Sequence, residues 1–347
     1  MPPVPQFVRS RILTGHAIAR DPFPRLNIAK PALDRKIAMG QLVHGKWEES
    51  PPSELPKNTD FRSWLTSDGS EGPQGQKGFK AESGRYHLYV NYGCPFAHRA
   101  LIIHAIKGLD KFVDVSVVNP PPTPEGWSFA KEFPGTTGDK LFPEHKYVYE
   151  VYQKADSQAT TRCSVPVLFD SKENTIVSNE SAEIVRQFNN AFDHLGATPG
   201  DLYPEDLRDE IDKINDAIAP ATFGLQKIKF AASEEAAAQA TTTLYAEYSK
   251  LDETFAKQRW LLGSVLTEAD LRLFVGVIRY SYWRKQLNLD KPLEHWPNLL
   301  AWAKDFYQVP GVASTVHPDH FAGILGKDVK LDGDSVDFSS PPHRSFR

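Results

Sequence analysis

The stretch RYHLYVNYGCPFAHRALIIHAIKGL, beginning at Arg85, constrains the fold more than any other part of the chain. Its first half alternates and is rich in β-formers, which predicts a strand. Its second half opens with proline in the first helical turn, where the missing N–H costs nothing, and reads as a helix. The segment KFVDVSVV then reads as a second strand, so a βαβ unit with a right-handed crossover is predicted. SVPVLFD and NTIVS read as two further strands joined by a polar turn, closing a small mixed sheet. NESAEIVRQFNNAF follows, with good capping residues and helical spacing of Ile184, Val185 and Phe188. From Leu202 to about Val312 the periodic segments are all helical.

The expected architecture is therefore an α/β domain over residues 81–195 and an all-α domain over 200–325. Residues 1–80 are rich in proline, glycine and charge and read as an extended arm anchored by Trp47, Phe61 and Trp64. Residues 326–347 read as a loosely held tail. Between the second strand and the next helix, NPPPTPEGWSFAKEFPGTTGDKLFPEH is too long for an ordinary connection and reads as a functional loop.

A length of 347 residues with 40% hydrophobic composition supports these two cores. The formal charge of -4, from 40 basic and 44 acidic side chains, gives no broad field for nucleic acid or an anionic membrane. No apolar run is long enough to span a bilayer. The expected partners are small molecules or proteins in the cytoplasm. Arg9, Arg11 and Arg20, with no acid before Asp21, also resemble a mitochondrial transit segment, although a basic tail is the plainer reading. Two cysteines, Cys94 and Cys163, make no disulfide framework. Eleven scattered histidines form no ligand pair with them, and no phosphate-cradling glycine loop opens a helix, so neither metal nor nucleotide is expected.

Three places carry chemistry. Cys94 sits at a strand-to-helix turn, where unpaired N–H groups and the positive end of the helix dipole favour the thiolate. His98 and Arg99, one turn later, either add positive potential or point into the protein. The bland alternative is a buried structural thiol. Pro166 stands inside a strand-like run. Either it is an edge-strand proline, or a cis bond before it turns Val165 outward and frees its backbone for an extended peptide. Glu180 and Ser181 open a helix; they are either plain caps or a grip for an amino-acid head group.

Taken in order, RYHLYVNYGCPFAHRALI, EGWSF, YVYEVYQKAD, RCSVPVLFD, IVSNESAEI and LTEADLRLF resemble the Xi class of glutathione transferases, also called glutathionyl-hydroquinone reductases. The resemblance runs from about Phe61 to His320. It implies a thioredoxin-like domain followed by a helical-bundle domain, a homodimer, and glutathione as co-substrate. By this resemblance Cys94 is the nucleophile and Val165 pairs with the glutathione backbone. Glu180 and Ser181 hold the γ-glutamyl end, and Trp127 and Arg162 contact the tripeptide. Thr267 and Asp270 match a structural capping box. The implied reaction is glutathione-dependent removal of glutathione from small aromatic conjugates through a mixed disulfide on Cys94. Cys163 is expected to be a small buried hydrophobe rather than a resolving thiol.

The chain departs from the family in its acceptor half. Two tyrosines of the family correspond here to Gln226 and Arg284, with Tyr280 or Tyr282 as candidate replacements, and Phe96 stands in place of a tryptophan. This leaves two alternatives open: a transferase that conjugates a natural product, or a non-catalytic carrier of glutathione and aromatics.

Overall fold

The computed structural model describes residues 39–50, 58–326, 329 and 336–342. The basic N-terminal residues considered for targeting lie outside that range. The central sheet has strand order β6-β5-β7-β8, built from β5 (Tyr86–Val90), β6 (Val113–Val117), β7 (Val167–Asp170) and β8 (Thr175–Ser178). β5 runs parallel to β6 and antiparallel to β7, and β7 and β8 form a hairpin. Every residue of β5 and β7 is buried, as expected of inner strands covered on both faces.

Between β5 and β6 lies α1 (Pro95–Ile106), whose residues are buried on nearly every side. It packs on α3 (Ser181–Asn190) and on α7 (Glu268–Trp283), so its apolar sequence faces a partner all round. α2 (Val148–Ala155) covers β8. The helical part comprises α4 (Arg208–Ala217), α5 (Ala219–Lys229), α6 (Glu234–Phe255), α7, α8 (Pro297–Tyr307) and α9 (Pro318–Leu325) among the described residues. At the α5–α7 crossing, a Cβ on Gly276 would lie 2.5 Å from the Thr222 carbonyl oxygen, so only glycine permits this approach.

α7 is fixed at its start. Thr267 and Asp270 cap each other's backbone, and Asp270 also accepts from Leu261 N–H and Trp302 Nε1–H, both at 3.0 Å. Burial pushes the Asp270 carboxyl up to about 6, against the pull of those donors.

Within the segment read from sequence as an arm, the described residues form two short strand pairs. β1 (Gln41–Val43) and β2 (Lys46–Glu48) are antiparallel; β3 (Trp64–Thr66) and β4 (Gly78–Lys80) are parallel. They are held from outside: Leu65 N–H donates to the Gln187 side chain, Ser63 N–H to Val177 O, and Arg62 pairs with Glu183. Near the chain end, Phe338 is buried beside Tyr307.

Several histidines are folded into this framework as neutral rings. Burial pushes His87 and His320 down to about 4. A ring depressed below its unfolded value of about 6.5 contributes fully above that pH and loses its contribution as pH falls towards 4. Chemical denaturation at pH 7.0, 5.5 and 4.5 is therefore expected to show falling stability, on the order of 2 kcal/mol per ring. His87→Gln should flatten the slope; an unchanged stability across this window would contradict the assignment.

Candidate active site

Cys94 is the N-cap of α1, with extended backbone angles and Pro95 next. Its half-buried sulfur lies 3.7 Å from the Val165 carbonyl oxygen, towards which the thiol points. Burial pushes the thiol up. The amides of Ala97 and Phe96 pull it down, as do the charges of Arg279 and Arg99. The helix N-terminus thus acts as the sequence predicts, but in the free site desolvation outweighs it.

His98 does not add the positive charge anticipated for it. Its Nε2 bonds Thr315 Oγ1 at 2.9 Å and its Nδ1 accepts from Arg279 at 3.0 Å. Burial keeps the ring neutral, with both nitrogens occupied. Arg99 is buried, with its guanidinium 5.4 Å from the Phe96 ring and 4.9 Å from that of Phe223. Phe96 and Phe223 stack at 5.3 Å, and Phe96 stays 42% exposed beside Cys94, offering an open aromatic face.

Across the sheet end, the Val165–Pro166 bond is cis. β7 starts only at Val167, and the Val165 N–H has no partner among the described residues. Glu180 is the N-cap of α3: one carboxylate oxygen accepts from Ala182 N–H at 3.0 Å and from the Ser181 hydroxyl at 3.4 Å. Trp127 is buried and Arg162 is exposed. Cys163 is buried, its thiol directed to Thr161 O and pushed up by burial, as a structural thiol is.

The candidate acceptor residues separate. Tyr280 points away, into Tyr248 and Trp296, and its hydroxyl donates to Lys291 O at 2.6 Å. Arg284 turns to Leu289 O. Tyr282 packs on Phe321 of α9. Gln226 stands one turn after Phe223 on α5, and both of its amide polar atoms are buried without a partner among the described residues. Lys229, farther along α5, donates to Ile324 O of α9 at 2.7 Å; burial pushes its ammonium down to about 8. α9 in turn closes over the turn before Cys94, because a Cβ on Gly93 would lie 2.3 Å from His320 O and from Ile324 Cγ1.

Arg279 and Phe223 escaped the sequence reading. A lone arginine in an apolar helix reads as a solvated charge, and Phe223 as ordinary core. Neither has a local pattern that announces its neighbour across the domain boundary.

Residues 93–191 match the family model described as glutathione S-transferase, N-terminal domain, and residues 214–310 the corresponding C-terminal domain. Glutathionyl-hydroquinone reductase YqjG of Escherichia coli is 44% identical over 292 residues, covering 81% of this chain and 89% of that one. Glutathionyl-hydroquinone reductase PcpF of Sphingobium chlorophenolicum is 35% identical over 297 residues, covering 81% and 90%. The glutathione-bound structure of YqjG superposes with a TM-score of 0.80 at 40% identity, covering 88% of this chain and 99% of that one. The Xi-class transferase of Natrialba magadii superposes with 0.79 at 33% identity, covering 89% and 98%.

Proposed function

The chain belongs to the Xi-class glutathione transferases, the glutathionyl-hydroquinone reductases, and from that premise we propose that it removes glutathione from small aromatic conjugates, with Cys94 as nucleophile. The observation that carries the reading is Cys94 at the start of α1, its sulfur 3.7 Å from the carbonyl oxygen of Val165, whose own N–H has no partner among the described residues. An extended tripeptide pairing with Val165 would carry its own sulfur to Cys94.

The Cys94 thiolate attacks the sulfur of the conjugate. The bond from that sulfur to the ring carbon breaks, its electron pair stays on the ring carbon, and a proton completes the reduced aromatic. Cys94 is left as a mixed disulfide with glutathione. The thiolate of a second glutathione attacks the glutathione sulfur of that disulfide, releasing oxidised glutathione and Cys94. The ring of the conjugate fits the exposed face of the Phe96–Phe223 pair. The buried, unpartnered amide of Gln226, where the family carries a tyrosine, favours an altered acceptor; a neutral amide donates a hydrogen bond but is a poor proton donor. The enzyme acts as a homodimer in this reading.

Turnover of a glutathionyl-hydroquinone in the presence of glutathione tests it, beside a chlorodinitrobenzene acceptor. Release of hydroquinone with one oxidised glutathione per turnover supports the reductase. Conjugation of the acceptor without reduction would overturn it.

Glu180 carries a further expectation. Its second carboxylate oxygen is available for the ammonium of a γ-glutamyl group. Glu180→Gln keeps an acceptor for Ala182 N–H, so the cap survives. KM for glutathione should rise roughly tenfold, with kcat within about threefold of the parent. Steady-state kinetics against glutathione decide it, and an unchanged KM would remove Glu180 from the binding site.

A further inference from the structure

We propose that Arg279 is the positioning residue for Cys94: delivered from α7, its guanidinium fixes the turn that carries the cysteine and supplies the positive charge that a thiolate there requires. This rests on the reading of Cys94 as nucleophile.

A guanidinium out of water is costly unless an anion meets it. Arg279 is fully buried, and no carboxylate lies within ion-pairing distance of it among the described residues. Its hydrogen bonds go to neutral acceptors. Nε and Nη2 donate to Gly93 O at 3.2 and 3.0 Å, and Nη2 also to Tyr92 O at 3.3 Å. Nη1 donates to Val275 O at 2.7 Å and to His98 Nδ1 at 3.0 Å. The aromatic face of Phe321 lies 4.3 Å from its guanidinium carbon. Four of these bonds reach across from the helical domain into the α/β domain. Two carbonyls that precede Cys94 are thereby tied to a cation.

The charge left unmet has one candidate partner. Cys94 directly follows Gly93, and it is the group whose ionised form attracts Arg279. The other groups around it do not substitute. From α1, His98 is neutral, and Arg99 also acts on Cys94 but less than Arg279 does, because it divides its charge among Glu180 of α3, Cys94 and Glu268 of α7 while Arg272 of α7 opposes it. His317, before α9, faces His98 and stacks flat on Tyr92. Arg279 thus weighs more on the cysteine than Arg99 does, and with both His98 nitrogens occupied the thiol proton leaves to solvent.

The test is the pH dependence of Cys94 alkylation by iodoacetamide in the full-length protein without glutathione, followed by peptide mass. The variants are Arg279→Lys, Arg279→Gln and Arg279→Met, where glutamine keeps donors for the Gly93 carbonyl without the charge. The neutral variants should move the alkylation midpoint up by about one pH unit or more, slowing the reaction about tenfold at pH 6.5. Lysine should recover most of the shift. Thr315→Val, which loosens the same cluster through His98, should lower the melting temperature and leave the midpoint in place. A native midpoint in Arg279→Gln, or equal shifts in the lysine and glutamine variants, overturns the proposal and leaves the nucleophile reading standing. No pH-dependent alkylation of Cys94 in the parent protein overturns both.

Discussion

Cys94→Ser is expected to lower glutathione-dependent turnover of the aromatic conjugate by a factor on the order of 10³ or more. A serine hydroxyl stays protonated near pH 7 and cannot form the sulfur–sulfur bond on which both half-reactions depend. The remaining thiol offers no bypass, because Cys163 is buried and held protonated by its surroundings. Glutathione affinity should change little, since the groups proposed to hold the tripeptide, the Val165 backbone and the Glu180 carboxylate, are untouched by the substitution. Turnover and equilibrium binding measured on the same preparation separate the two effects. A serine variant within tenfold of the parent would mean that the chemistry runs elsewhere.

Asp270→Ala is expected to be the most destabilising single change considered, at roughly 3 kcal/mol or more. It removes the α7 cap and leaves Leu261 N–H and Trp302 Nε1–H buried without an acceptor. Thermal melting should fall by about 4 °C on that basis, taking about 2.1 cal/mol/K of unfolding entropy per residue. Asp270→Asn keeps an acceptor of the same shape. Because burial already disfavours the charge, it should lose much less. If alanine and asparagine melt together, the hydrogen bonds are not what Asp270 contributes.

The fold was legible where the chain repeats a simple period or marks an end. The alternation in RYHLYV, the proline after Cys94 and the capping pair at Thr267 and Asp270 each state a local structure on their own. β3 and β4 were not legible, because three residues cannot show a period and their partners are Gln187, Val177 and Glu183, more than a hundred residues away. The candidate site divides in the same way. Cys94, Val165 and Glu180 are marked by turns and caps in their own segments. Arg279, Phe223 and the idle amide of Gln226 take their meaning from facing elements. Tyr280 looked like a spare phenol in sequence, and its ring lies on the opposite side of α7, against α6 and α8.

α1 is buried by the sheet and α3 on one side and by α7 on the other. A helix owned by two cores cannot be cut out with either. The α/β half expressed alone would present the apolar flank of α1 to water, a sticky surface that invites self-association. Melting should accordingly be one transition rather than two. The same arrangement bears on how such a chain diversifies: the helical half cannot be exchanged for another as a module, so new acceptors must come from single side chains facing α1, as Phe223 does on α5.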